Sequence, residues 1–313
     1  MMRDDLFITV HETFWTDSCM YADIILPADT ALERTDCHWA YGSWFLGINK
    51  PVIEPLGESI NNTELFRMLA DKMGYVDSTD NAFTQTDEEI IKDILLEAEN
   101  EDGERFNCLT EGIDYDDVVK NGWARASTGS KRRDFLKNGW PTPSGKIEIK
   151  CEAITAEYPD VSPFPEYVPE INGQYDPNKE KFPIQVLSSA SHYFIGDSFQ
   201  SVPRLQAMQS RPTVEISLGD AKARGIEDGD LVRLYNDNGE TYCYAVLIDG
   251  LLEGVCATQK QFKGSNTPGG LNVNNLNSEM LTDFGKSPTF YSVLVEIEKA
   301  SEEMTKKAIK QGV

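Results

Sequence analysis

The chain has 313 residues, 40% of them hydrophobic, which is enough for two or three packed units and too many for one small core. Its 29 basic and 52 acidic side chains leave a formal net charge of −23, so a nucleic acid or an anionic membrane surface would meet a repulsive field, and neither is an expected partner. The six cysteines (Cys19, Cys37, Cys108, Cys151, Cys243 and Cys256) are dispersed and form no C-x-x-C, so spacing offers no zinc cage or iron–sulfur site. Buried free thiols in a reducing compartment, and with them a cytoplasmic location, are the expectation. No stretch approaches the roughly 20 apolar residues of a membrane span, and MMRDDLFITV lacks the apolar core of a signal peptide.

Residues 6–10 (LFITV) and 22–27 (ADIILP) read as strands buried on both faces, joined by HETFWTDSCMY, and so as part of an α/β sheet. Such a sheet needs further parallel strands and covering helices, and the chain opens inside a strand with nothing before it to supply them. NNTELFRMLADKMGY (61–75) predicts a helix capped by Asn62 or Thr63, with Leu65, Phe66, Leu69 and Met73 at helical spacing. TDEEIIKDILLEAEN (86–100) predicts a second helix whose charged side is a solvated face. Residues 101–140 are polar, with the basic run SKRRDF (130–135) read as a surface loop, and PTPSGKIEIKCE (141–152) reads as a turn followed by an alternating strand. Tyr158 to Pro183 carries six prolines and reads as a linker into a new domain.

Beyond it the pattern changes to short strands. FPIQVL, VEISL, VRLYN, TYCYAVL, GVCATQ and SVLVEIE predict six, with a short helix from Asp220 to Arg224 and a hairpin at Asn238-Gly239, consistent with a closed barrel. Glu302 to Val313 is either a short charged helix or disordered.

Two loops of this barrel carry candidate chemistry. LSSASHYFIGDSF (187–199) gathers serines around His192, but no G-x-S-x-G elbow occurs and Asp197 is only a loose third member, which argues against a hydrolase. His11, His38 and His192, the three histidines, have no metal-ligand spacing. A serine-rich turn at the C-terminal end of a strand instead offers hydroxyls and unpaired backbone N–H groups, which hold phosphate without net positive charge. GSNTPGGLNVNNLNSEMLTDFG (264–285) adds asparagine amides suited to reading the edge of a heterocycle.

Three stretches then resemble, in order, the C-terminal portion of a molybdopterin oxidoreductase of the dimethyl sulfoxide reductase family, whose molybdenum or tungsten is held by two pterin guanine dinucleotides. ITVHETFWTDSCMYADIILPADTALERTD resembles a guanosine-contacting strand–loop–strand, and PTPSGKIEI resembles the family's T-P-S-G-K-I-E hairpin. Ile184 to Glu298 resembles its terminal dinucleotide-binding barrel, including the hairpin G-D-x-V-x-x-x-N-x-x-G and the loop N-V-N-x-L. The resemblance implies a partial α/β domain over 1–100, an irregular segment with a β-hairpin over 101–157, a linker over 158–183, a six-stranded double-psi-type β-barrel over 184–300 and a tail over 301–313.

It further implies that His11 and Glu12 contact guanosine, and that Ser189, Ser191, His192 and Ser198 lie on the loop wrapping the pterin dinucleotide. Asn272 and Asn274 fall in the asparagine motif, Tyr291 stands where many relatives place a lysine, and Ile60 replaces an expected basic residue. The implied cofactor is molybdopterin guanine dinucleotide. The implied partner is an N-terminal part bearing the iron–sulfur cysteines and the metal ligand, with an electron-transfer subunit beyond it. Rival readings are a stand-alone, non-catalytic cofactor-binding subunit or interaction module, and a barrel plus α/β protein that holds no cofactor.

Overall fold

The computed structural model describes residues 3–75, 83–96, 113–125, 139–260, 262–282 and 285–311. It divides into two compact units after Pro165, inside the proline-rich stretch read as a linker. Cys108, the basic run 130–135 and most of the polar segment around it lie outside the described residues. Among the described residues no helix is long and apolar enough to cross a membrane.

In the first unit, β1 (Thr9–Glu12) pairs in parallel with β2 (Ile24–Pro27), Thr9 opposite Ile24. The expected two-sided burial is absent: Leu6, Phe7, Ile24 and Ile25 are exposed, because a two-stranded sheet carries no covering layer among the described residues. Helix α1 (Asn62–Met73) follows, and its cap is Asn61 rather than Asn62 or Thr63, since the Asn61 side chain accepts the Glu64 amide at 2.6 Å. Gly74 closes the helix at φ 76°, a left-handed turn open to glycine without a Cβ clash. The apolar positions Phe66, Leu69 and Met73 have the expected spacing but stay exposed; only Ala70 is buried.

A second sheet is antiparallel: β3 (Asp36–Trp39), β4 (Phe45–Asn49) and β5 (Trp123–Arg125), with β4 in the middle. Helices α2 (Asp87–Leu96) and α3 (Tyr115–Asn121) cover it, so that Leu46, Ile48, Ile91, Leu95, Ile113 and Val118 form one core. Glu88 and Glu89 of α2 face solvent, as its pattern predicts. The strand and hairpin expected in 141–152 do not form. Thr142 and Gly145 close a turn, and Ile147 and Ile149 point into solvent, because their alternation finds no neighbouring strand among the described residues to pair with. Helix α4 (Glu152–Glu157) follows directly.

The second unit holds the barrel. Its strands are β6 (Ile184–Ser189), β7 (Thr213–Ser217), β8 (Leu231–Tyr235), β9 (Glu240–Ile248), β10 (Val255–Gln259) and β11 (Leu294–Lys299). They close in the order β10-β6-β11-β8-β9-β7. Alternate residues point inward, so Ile184, Val186, Val214, Ile216, Val232, Leu234, Val295 and Ile297 fill the interior. Helix α5 (Pro203–Met208) lies in the β6–β7 connection, and α6 (Leu218–Ala223) is capped by Ser217, which accepts the Asp220 amide at 3.1 Å. The charged tail forms a helix, α7 (Glu302–Gln311), which packs on the Pro268–Gly270 turn and buries Ala308.

Strand direction fixes where the loops open. β6 runs parallel to β10 and antiparallel to β11, while β7 runs parallel to β9 and antiparallel to β10. β8 is antiparallel to both β9 and β11. Every consecutive strand therefore reverses, and the connections β6–β7, β8–β9 and β10–β11 all emerge at one rim.

The thiols are not uniformly buried. Cys243 and Cys256 are interior and burial pushes both thiols up, Cys243 to about 12, whereas Cys151 is exposed and Cys37 half-buried. A maleimide is expected to label Cys151 in the native protein and to reach Cys243 and Cys256 only after denaturation; mass spectrometry of the labelled peptides checks this.

Candidate functional site

The rim that collects the three connections is built from residues 190–212, 236–239 and 260–293. Among the described residues its loops carry Arg204, Arg211, Lys260, Lys263 and Lys286 against Asp197, Asp237 and Glu279. The opposite rim, 218–230 and 249–254, carries Asp220, Glu227, Asp228, Asp230, Asp249 and Glu253 against Lys222 and Arg224. In a strongly acidic chain, the first rim is thus the end of the barrel where an anion meets least repulsion.

Along the β6–β7 loop, the Ser189 hydroxyl donates to the Thr258 carbonyl at 3.4 Å, and the Ser191 hydroxyl donates to Gln209 Oε1 at 2.5 Å while accepting the Tyr193 amide at 3.2 Å. His192 is exposed, its ring edge-on to Tyr193 at 4.9 Å. No serine or carboxylate among the described residues bonds His192, so the geometry of a nucleophilic triad is missing. Ser198 is exposed, and its amide is tied to the Ile195 carbonyl at 3.0 Å. Among the described residues the amides of Ser191, His192, Gly196 and Asp197 take no partner. A run of open N–H groups beside hydroxyls suits phosphate oxygens.

The β10–β11 connection starts beside that loop, since the Lys260 amide donates to the Ser189 carbonyl at 2.8 Å. Farther on, Asn272 Oδ1 accepts the Asn274 amide at 3.0 Å and caps the turn Val273–Leu276, whose Val273 and Leu276 side chains enter the barrel core. Asn274 is exposed. The β8–β9 hairpin grips the same turn: Asn236 Nδ2 and Asn238 Nδ2 donate to the Leu276 carbonyl at 2.9 and 3.2 Å. Gly239 is required there, because a Cβ would stand 2.6 Å from the Asn275 carbonyl oxygen. A cavity of about 300 Å³ opens beside this hairpin, lined in part by Asn172, Asn178, Asp237, Ser278 and Ser292. Tyr291 is half exposed and stacks at 54° on Phe290, with centroids 4.5 Å apart.

Ser191, His192, Ser198, Asn272, Asn274 and Tyr291 therefore belong to connections of one rim, and Ser189 is the last residue of β6 beneath it. His11 and Glu12 lie in the first unit, where their polar atoms are taken up locally. His11 Nδ1 sits 2.8 Å from Asn62 Oδ1 and Nε2 3.1 Å from the Pro27 carbonyl, while Glu12 accepts the Thr13 amide at 2.8 Å. A cavity of about 460 Å³ nearby is lined by Asp29, Glu33, Arg34, Ile60 and Arg67. Its guanidiniums are paired within the chain, Arg34 with the buried Asp29 at 2.7 Å and Arg67 with Asp87 at 2.6 Å. The Thr30 side chain, with the Thr30 and Leu56 amides, holds the Glu33 carboxyl below its ordinary range. Sequence reasoning missed Gln200 and Thr241, which bind loop backbone from positions with no motif of their own, and gave no role to Asn236, the asparagine of the G-D-x-V-x-x-x-N-x-x-G hairpin.

Two family models match the chain: "Molybdopterin oxidoreductase" over residues 1–72 and "Molydopterin dinucleotide binding domain" over residues 184–294. It is 33% identical over 300 residues to the probable oxidoreductase YoaE of Bacillus subtilis (strain 168), covering 96% of this chain and 41% of that protein. It is 27% identical over 329 residues to the dimethyl sulfoxide reductase DmsA of Escherichia coli (strain K12), covering 96% of this chain and 39% of that one. Against the dimethyl sulfoxide/trimethylamine N-oxide reductase of Rhodobacter capsulatus the identity is 28% over 260 residues, 79% of this chain and 31% of that one. The chain thus spans about two fifths or less of the length of these relatives. The solved structure of acetylene hydratase from Pelobacter acetylenicus has the same fold over 94% of this chain and 40% of its own, with a TM-score of 0.71 at 17% identity. With both models matched in chain order and reductases of sulfoxides and amine oxides among its relatives, the chain belongs to the dimethyl sulfoxide reductase family of molybdopterin oxidoreductases.

Proposed function

We propose that this chain holds a molybdopterin guanine dinucleotide on the barrel rim and works as the cofactor-binding portion of a larger oxidoreductase. The observation that carries the reading is the alternation of strand direction, which gathers the serine loop, the Asn-Asp-Asn-Gly hairpin and the asparagine loop at one end. The donor set fits the group: unpartnered amides at Ser191, His192, Gly196 and Asp197 and the hydroxyl of Ser198 suit a pyrophosphate, and the exposed amide of Asn274, with Nδ2 of Asn272 whose Oδ1 is engaged in the cap, suits a purine edge. His192 and Tyr291 offer ring faces for the pterin, and in the first unit, taken by itself, His11 with Glu12 would hold the guanosine of a second such dinucleotide once their local bonds are exchanged. The bound cofactor's metal centre supplies the redox or oxygen-atom transfer chemistry. The residues of this chain bind and orient; none of them is assigned a bond-making role.

The partner in this reading is the polypeptide that carries the metal ligand and iron–sulfur cysteines. The apolar side chains left open just before β1 and on β2 and α1 (Phe7, Ile24, Phe66 and Met73 among them) support a continuation of the first unit by further chain.

Guanosine diphosphate tests the rim by itself, since it is a guanine joined to a pyrophosphate. It is expected to raise the melting temperature in a concentration-dependent way, with about 2.7 kcal/mol of stabilisation at a hundredfold excess over Kd. Adenosine diphosphate is the control. Equal melting curves with and without millimolar guanosine diphosphate would remove the assignment.

A further inference from the structure

We infer that Gln200 is the positioning residue that sets the spacing between the serine loop and the glycine–asparagine loop of the rim; its bearing on ligand binding rests on the cofactor reading above. Gln200 is 2% exposed, in a loop whose neighbours on either side, Phe199 and Ser201, are solvent-accessible. A buried primary amide is retained where both its donor and its acceptor are used. Here they are used in different directions. Nε2 donates back to the Gly196 carbonyl at 3.1 Å, inside the serine loop, and Oε1 accepts the Lys263 amide at 2.7 Å, across to the other connection.

The surrounding geometry reinforces that bond and depends on it. Phe199 holds φ 69°, a left-handed conformation costly for a side chain with a Cβ, so the turn that buries Gln200 is imposed by its contacts rather than by local preference. The Lys263 ammonium donates to the Ser201 hydroxyl at 3.0 Å. The buried rings of Phe194 and Phe262 meet at 6.1 Å and 68°. Lys260, Phe262 and Lys263 are thus stitched to 189–201 among the described residues, and Gln200 supplies the buried side-chain amide of that stitch. On one side of the stitch lie the open amides of 191–197; on the other the chain turns at Gly264–Asn266 toward Asn272 and Asn274. Gln200 acts through the Gly196 carbonyl and the Lys263 amide. It fixes how far apart the two sets of donors stand, and pre-set donor spacing is what a rigid dinucleotide rewards.

Two substitutions read the bonds to the Gly196 carbonyl and the Lys263 amide separately. Gln200→Leu removes donor and acceptor, and exchange of both the Lys263 and Ser198 amides is expected to accelerate about tenfold or more, while amides of β8 and β9 keep their protection. Gln200→Glu, read at a pH high enough to ionise the buried carboxyl, keeps an acceptor for Lys263 but has no proton for the Gly196 carbonyl, so the Ser198 amide is expected to accelerate while the Lys263 amide stays protected. A side chain that merely filled space would not split the two. Wild-type exchange at both amides in Gln200→Leu, or equal acceleration at both in Gln200→Glu, overturns the assignment. If Gln200→Leu does not fold, the split in Gln200→Glu decides. With guanosine diphosphate, Gln200→Leu is expected to weaken Kd about tenfold. If the wild-type protein does not bind that ligand, the cofactor reading falls, and the exchange pattern alone still judges Gln200.

Discussion

Leu276→Ala is expected to destabilise the barrel by about 2–5 kcal/mol, measured by urea denaturation of the wild-type and variant proteins. Leu276 has no exposed surface and belongs to the barrel's hydrophobic cluster, although it sits in a connection rather than in a strand. The loss therefore combines the transfer of its side chain with a cavity that the closed sheet cannot collapse around. The effect extends to the rim, because the Leu276 carbonyl is the acceptor for Asn236 and Asn238, and Asn272 and Asn274 lie in the same turn. Binding of guanosine diphosphate should weaken together with stability. A cost below about 1 kcal/mol would mean that the turn is not rooted in the core.

Asn236→Ala is expected to cost about 1–3 kcal/mol and to loosen residues 271–277, read by hydrogen exchange. One side chain serves four backbone groups here. Nδ2 donates to the Leu276 and Leu294 carbonyls at 2.9 and 3.1 Å, and Oδ1 accepts the Asn238 and Gly239 amides at 3.0 and 3.2 Å. The variant leaves all four without this partner in a part-buried place, and water reaching the hairpin offsets some of the loss. Because Asn236 and Leu276 hold the same turn, the double variant should cost less than the sum of the two single ones. Strict additivity would show that hairpin and turn are anchored independently.

The barrel was legible because its strands alternate. Ile184 and Val186, or Val232 and Leu234, stand two apart with a polar residue between them (Gln185, Arg233), and Asn238-Gly239 marks the hairpin between β8 and β9. Periodicity says nothing about whether a partner exists. Ile147 and Ile149 alternate as well as any strand, yet they remain single and exposed. In the same way LFITV and ADIILP correctly marked β1 and β2 near their ends, while their burial could not follow from composition alone. The sheet β3–β4–β5 went unread for the opposite reason. Asp-Cys-His-Trp and Trp-Ala-Arg are too short and too mixed to signal strands, and β5 finds its register only across a long separation from β4.

The helix cap was displaced by one residue because Asn61, Asn62 and Thr63 are all competent, and only the reach from Asn61 to the Glu64 amide selects among them. At the rim, the serines, His192 and the asparagines could be picked out as loop chemistry. The residues that hold those loops in place could not. Gln200 binds a backbone amide 63 positions away, Thr241 donates to the Leu271 carbonyl at 2.7 Å, and a bond between side chain and distant backbone leaves no pattern in the local sequence.

A sheet whose every strand turns back on the last gives the barrel two ends with different freedoms. Connections at the acidic end, such as 249–252 ahead of the anchored Gly254, can lengthen, shorten or accept a foreign segment without disturbing the polar grip at the other. Descendants of such a molecule could acquire new attachments there and keep an old ligand, whereas a change of ligand would have to be written into 190–212, 236–239 or 260–293.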